Sequence, residues 1–131
     1  MGLGKLDIVK AEMERTNIEV LGISELKWTG VGYFQSDDYK VYYSGNDTKR
    51  RNGVAVILQK DLAKTVMGYN PVNDRIITVR LQGHPTNVTI IQVYAPTTDA
   101  EEEDIDEFYE QLQEVLDSTA QGDVMMIIGD I

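Results

Sequence analysis

Ile18-Glu-Val-Leu-Gly-Ile-Ser24 is an apolar run of strand length that ends directly on an acid, Glu25. A second run, Val124-Met-Met-Ile-Ile-Gly129, ends in the same way on Asp130. Continuous apolar strands are expected to be buried on both faces, and α/β proteins place ligand chemistry just beyond the carboxyl ends of such strands. A carboxylate delivered there is costly unless its charge is paired. Mg²⁺ answers that need with oxygen coordination and keeps several waters for a substrate phosphate. On spacing alone two readings stay open. Either Glu25 and Asp130 share one ion, or Glu25 pairs with Lys27 or an arginine while Asp130 caps a turn.

Outward from these strands, Leu6, Val9 and Met13 recur at helical spacing between about Lys5 and Thr16, with Lys10 and Glu14 as an i,i+4 pair and Asn17 at the end. After Glu25, Leu26 to Tyr33 reads as a loop with two glycines. The β-rich Tyr39–Tyr43, a turn-like stretch from Ser44 to Asn52, and the apolar strand Gly53–Leu58 follow. Arg75–Leu81 and Asn87–Tyr94 flank Gln82-Gly-His-Pro-Thr86, which predicts an antiparallel hairpin. Pro96 stops the strand. Thr98 or Asp99 then offers an N-cap with a glutamate at capping-box spacing, and Ile105, Phe108, Leu112, Val115 and Leu116 form a helical stripe. The order α-β-β-β-β-β-α-β predicts a mixed sheet with helices on one face, in a single domain over 1–131.

The net charge of -10 opposes non-specific binding to a polyanion, whose affinity comes from Lys and Arg neutralising phosphates. Its distribution is uneven. Seven acids lie between Asp99 and Glu107, as suits a solvated helix start, whereas Lys49, Arg50 and Arg51 form a basic triplet able to contact phosphate. The chain has no cysteine, hence no disulfide frame or thiolate metal site. The N-terminus lacks the charged and apolar regions of a secretory signal, and no apolar run approaches the ~20 residues of a membrane span. The expectation is an intracellular protein of nucleus or cytoplasm with no membrane partner, in which the sequons at Asn46 and Asn87 are chance matches.

Tyr94 also ends a strand, where a phenol can donate a hydrogen bond to a phosphoryl oxygen or simply sit at the rim with its hydroxyl wet. His84, the single histidine, falls in the hairpin loop, away from the strand ends that carry the acids. Trp28 is either a stacking surface or a packing anchor. No P-loop, dinucleotide fingerprint, nucleophile elbow or zinc spacing is present.

Five ordered blocks carry a resemblance: Leu21-Gly-Ile-Ser-Glu25-Leu-Lys-Trp-Thr-Gly30, Arg51-Asn-Gly-Val-Ala-Val56, Asn73-Asp-Arg-Ile-Ile77, Ile91-Gln-Val-Tyr-Ala-Pro-Thr97 and Ile127-Ile-Gly-Asp130. Together they resemble the endonuclease/exonuclease/phosphatase superfamily, most closely the apurinic-type endonuclease domain of RTE/BovB-like non-LTR retrotransposons. The resemblance implies a DNase I-like fold, here a partial four-layer α/β sandwich with a mixed sheet and flanking helices. It also implies metal-dependent hydrolysis of a phosphodiester in DNA, with Mg²⁺, or Mn²⁺ in its place, polarising the phosphoryl oxygen. Glu25 would bind the metal, Tyr94 would lie near the scissile phosphate, and Asp130 would position or activate the attacking water. Lys27, Arg51 and Asn52 would contact substrate.

The same resemblance implies residues that this chain does not contain. Family members open on a strand whose asparagine helps bind the metal, and they continue past the Gly-Asp pair, where Ile131 stands in place of an aromatic, to a terminal Ser-Asp-His block. The expectation is a domain lacking its first strand and C-terminal half, a fragment inactive on its own because catalytic sets fail non-additively. Its uncovered sheet would call for a second copy of the chain or another polypeptide. Two alternatives accompany this reading: a non-catalytic remnant serving as an interaction module, and a phosphatase on the same fold.

Overall fold

A computed structural model describes residues 3–130, with side chains described for 6–129. The elements run α1 (Leu3–Thr16), β1 (Val20–Ser24), β2 (Val31–Ser36), β3 (Tyr39–Ser44), β4 (Val54–Gln59), α2 (Lys60–Ala63), β5 (Val66–Asn73), β6 (Ile76–Leu81), β7 (Val88–Tyr94), α3 (Glu102–Ser118) and β8 (Val124–Asp130). They form two four-stranded sheets, ordered β1-β4-β3-β2 and β5-β6-β7-β8. The first is antiparallel throughout, whereas β7 and β8 pair in parallel across the α3 crossover.

The burial of β4 explains why the sheets stack. Val54, Val56 and Leu58 alternate with Ala55 and Ile57, and all five are fully buried, because each face of the strand meets a different layer. Val54, Val56 and Leu58 pack with Ile77, Val79, Leu81 and Ile90 of the second sheet. Ala55 and Ile57 pack with Leu6 and Met13 of α1. On the far side, Phe108, Leu112 and Val115 of α3 cover Ile76, Ile91 and Val93. Each such buried aliphatic side chain contributes about 1.5–3 kcal/mol. The result is a four-layer α/β/β/α sandwich, the expected fold class. Strand patterning alone had pointed to helices on one face; instead one helix covers each outer face.

Two strands and a short helix escape the patterning. In β2, exposed and half-buried residues alternate across Val31-Gly-Tyr-Phe-Gln-Ser36, so its glycine and polar positions read as loop. β5 carries Gly68 and Pro71 and two register shifts, features tolerated at a sheet edge. α2 is a single turn.

Three local expectations are corrected. Lys10 does not pair with Glu14; its 7%-exposed side chain turns inward, where Nζ lies 2.6 Å from Ser36 Oγ and 2.7 Å from Asp37 Oδ2. α3 starts at Glu102 rather than after Thr98 or Asp99, because residues 97–100 close a separate turn through Ala100 N–H to Thr97 O, 3.0 Å. Neither acid-bearing strand is fully buried, and both lie at sheet edges. β1 is half-buried along its length, and Val124, Met125, Met126 and Ile127 of β8 are 39–53% exposed. No helix among the described residues is long and apolar enough to cross a membrane.

The entry to β8 is tied to its sheet by Asp123, which accepts Arg80 Nε at 2.8 Å, Arg80 Nη2 at 3.0 Å and Thr89 Oγ1 at 2.8 Å. The Arg80 guanidinium, then the Thr89 hydroxyl, hold the Asp123 carboxyl below the ordinary aspartate range. A depressed carboxyl stabilises the fold above the unfolded-state pKa of about 3.9 and loses that contribution as pH falls through the depressed value. Urea midpoints measured from pH 7 down to pH 2 are expected to fall less steeply below pH 4 in Asp123→Asn than in the parent, from a lower starting value at pH 7.

Candidate functional site

The ends of β1, β7 and β8 meet at one rim of the sandwich. Ser24 closes β1 and leaves Glu25 exposed in a left-handed conformation, φ 55°. Leu26 turns inward to 1% exposure and joins the α1-side core, so the loop is pinned directly behind the acid. Lys27 is again exposed and left-handed, φ 61°. The loop is laced to the approach to β4: Leu26 N–H donates to Gly53 O at 3.1 Å and Lys27 N–H to Asn52 O at 3.0 Å. Gly53 has φ +91° and sits so close that a Cβ would lie 3.1 Å from Leu26 Cβ. The Arg51-Asn-Gly53 block therefore seats the Glu25 loop.

Tyr94 closes β7 and donates from its hydroxyl to Glu25 Oε1 at 2.8 Å, a contact between residues 69 apart. Its ring packs at the edge of the inter-sheet core, so the phenol is both anchored and bonded. Asp130 lies opposite Tyr94 in the parallel β7–β8 register, which puts its backbone at the same rim; its side chain lies outside the described residues. Among the described residues no ion pair involves Glu25, so neither Lys27 nor an arginine takes the role left open for it.

Arg75 is a residue that sequence patterning overlooked. It read as the first residue of a strand and as part of the Asn73–Ile77 block, with no role of its own. Its Nη1 donates to Tyr94 O at 2.9 Å, its guanidinium carbon lies 5.1 Å from the Tyr94 ring centroid, and Tyr94 N–H donates back to Arg75 O at 2.9 Å. Ring and backbone of Tyr94 are thereby held from one side.

Beside this rim a cavity of about 450 Å³ is lined by Arg51, Asn52, Asp74, Arg75, Glu107 and Gln111, among others. Asp74 accepts from Asn52 Nδ2 at 3.0 Å and Asn46 Nδ2 at 3.4 Å, and its carbonyl accepts Gly53 N–H at 2.8 Å. Asn52 is thus engaged in shaping the loop, while Arg51 is exposed on the cavity wall. Lys49 and Arg50 are exposed on the preceding turn, whose Thr48 and Lys49 N–H groups donate to Asn46 Oδ1.

The remaining candidates resolve simply. His84 is exposed in the hairpin loop, at the end of β7 remote from Tyr94. Trp28 is a packing anchor, with ring centroids 5.6 Å from Phe34 and 5.4 Å from Tyr43.

Oxygen donors suit Mg²⁺, and Glu25 presents one at an exposed rim where water and phosphate can reach. Among the described residues no group of three or more acidic, histidine or cysteine side chains could hold a metal, and Glu25 is the one carboxylate described at these three strand ends.

No protein-family model matches the chain. It is similar to two curated proteins, craniofacial development protein 2 of Bos taurus, 57% identical, and craniofacial development protein 2 of Tragulus javanicus, 55% identical, each over 130 residues and 99% of this chain. The chain spans 22% and 23% of the length of these relatives.

Asp74 is expected to matter to the rim without touching Glu25. Asp74→Ala removes the acceptor of two asparagine side chains, and calorimetric unfolding should register a loss of about 1–2 kcal/mol. Asn46→Ala should also destabilise, since it removes the 3.4 Å bond to Asp74 together with the two backbone N–H bonds that Asn46 Oδ1 accepts.

Proposed function

We propose that this chain carries the metal- and phosphate-binding part of a Mg²⁺-dependent DNA endonuclease site of retrotransposon origin. The observation that carries the reading is the 2.8 Å hydrogen bond from Tyr94 to Glu25, which joins the ends of two strands from different sheets. Exposure at the rim keeps the Glu25 carboxylate hydrated and also leaves it reachable by an ion.

In this reading Glu25 holds the ion, which when bound polarises a phosphoryl oxygen and offsets developing charge. Tyr94 keeps the carboxylate oriented by donating its one hydroxyl proton to Glu25, and it could donate to a phosphate oxygen only by giving up that bond. Arg75 restrains Tyr94 from behind. Asp130, whose backbone lies opposite Tyr94 at the same rim, would take the role at the attacking water that the resemblance implies. Lys27 and Arg51 supply phosphate contacts from loops that are hydrogen-bonded to one another, and Asn52 shapes the Arg51 loop. Five of the chain's twelve Lys and Arg residues, at positions 27, 49, 50, 51 and 75, belong to these loops, which offsets locally the unfavourable net charge of -10.

A second reading rests on a different observation. The exposed apolar residues Val124–Ile127 on an edge strand favour contact with another polypeptide or a second copy, as an interaction module would make. Light scattering on the purified chain distinguishes these: a concentration-dependent rise above 14.7 kDa supports self-association.

The nuclease reading is tested by titrating Mn²⁺ into the chain and by incubating it with supercoiled plasmid and Mg²⁺. Metal binding is expected to fall at least tenfold in Glu25→Ala. Any nicking should be abolished by EDTA, by Glu25→Ala and by Asp130→Ala, and reduced in Tyr94→Phe. Intact plasmid at high protein concentration, together with a metal titration unchanged by Glu25→Ala, rejects the reading. A phosphate monoester cleaved in preference to abasic-site DNA would turn it toward a phosphatase.

A further inference from the structure

Gln92 is an anomaly in the core. It is 1% exposed and stands in β7 between Ile91 and Val93, both fully buried. Its Nε2 donates to Ser24 Oγ at 3.1 Å, across the sheet interface and 68 residues away in sequence, and weakly to Val93 O at 3.5 Å. Its Oε1 is buried with no hydrogen-bond partner. A leucine of similar size would fill the space without stranding an acceptor, so packing alone does not explain the amide.

Two glycines make the slot that the amide occupies. A Cβ on Gly22 of β1 would lie 1.9 Å from Gln92 Oε1, and one on Gly129 of β8 would lie 2.8 Å from Gln92 Nε2. Three strands thus converge on one side chain. Each then delivers a residue of the candidate site: Glu25 follows Ser24, Tyr94 is two residues beyond Gln92, and Asp130 follows Gly129.

We propose that Gln92 is a positioning residue that, through Ser24 and the Gly22/Gly129 slot, sets the spacing of Glu25 and Tyr94. The proposal rests on the nuclease reading for its purpose but not for its test. The ladder to β4 and the Leu26 and Lys27 backbone bonds hold the end of β1 within its own sheet. The Gln92–Ser24 bond ties that end to the opposite sheet, and a directional amide fixes the spacing between the sheets where apolar contacts would allow sliding.

The test compares the parent chain with Gln92→Leu, Ser24→Ala and the double variant, by crystallography without metal, thermal unfolding and Mn²⁺ titration. Gln92→Leu is expected to unfold at the parent temperature or above it, while the Tyr94 Oη–Glu25 Oε1 separation lengthens past 3.5 Å and Mn²⁺ affinity falls about tenfold or more, in the range typical for residues that orient metal ligands. Ser24→Ala should give the same displacement, and the double variant no further loss, because both changes cut one link. If Gln92→Leu does not fold, Ser24→Ala decides the matter by the same measurements. A Tyr94–Glu25 bond retained in the variants overturns the proposal, whatever their stability. If the parent binds no Mn²⁺, the nuclease reading fails, and the metal-free geometry still decides the role of Gln92.

Discussion

The face-to-face packing of the two sheets is the constraint on which the other features depend. β4 mediates it, with Val54, Val56 and Leu58 turned toward Ile77, Val79 and Ile90 while Ala55 and Ile57 face α1. Once those layers are in contact, the ends of β1 and β7 must lie at a common rim, although they belong to different sheets. The Tyr94–Glu25 hydrogen bond is a local consequence of this global packing. Its net energy is small beside the burial that brings its partners together, so the site inherits its geometry from the core.

Legibility in the sequence follows the strength of the physical signal. β4, β6, β7 and the α3 stripe are plain because each has a buried face and clear flanking residues. The β6–β7 hairpin pairs in register from Ile76–Val93 to Leu81–Val88, as its flanking turn residues imply. β2 and β5 are edge strands with glycine, proline and polar positions, and such strands carry weak patterns. That these runs form two stacked sheets was not visible in strand order alone; it came from the resemblance, because residues in β4 that face opposite layers look identical in a string of apolar letters.

The site was legible in its strand-end residues and illegible in its supports. Glu25 and Tyr94 announce themselves by standing where apolar strands stop. Arg75 and Gln92 do not, since an arginine at a strand start and a glutamine inside an apolar run each have ordinary explanations until the partner is known. Their partners, Tyr94 and Ser24, lie 19 and 68 residues away, a separation at which local pattern carries no information. Asn52 shows the reverse case. Its place in a recognisable block pointed to substrate, while its amide is committed to Asp74 and the shape of the loop.

The two acid-bearing strands also part company in a way that bears on the chemistry. β1 is covered on both sides to an intermediate degree, by the α1-side core and by β7 and β8 across the interface. β8 leaves Val124 to Ile127 half in water, held to its sheet by β7 and by the Arg80–Asp123–Thr89 cluster at its start. The restraint at the Asp123 end does not reach the Asp130 end seven residues on. At that end Gly129 has φ +110°, and a Cβ there would lie 2.1 Å from Val93 O and 2.8 Å from Gln92 Nε2. A substitution there would strain the backbone and press on the same amide that bonds Ser24 of β1.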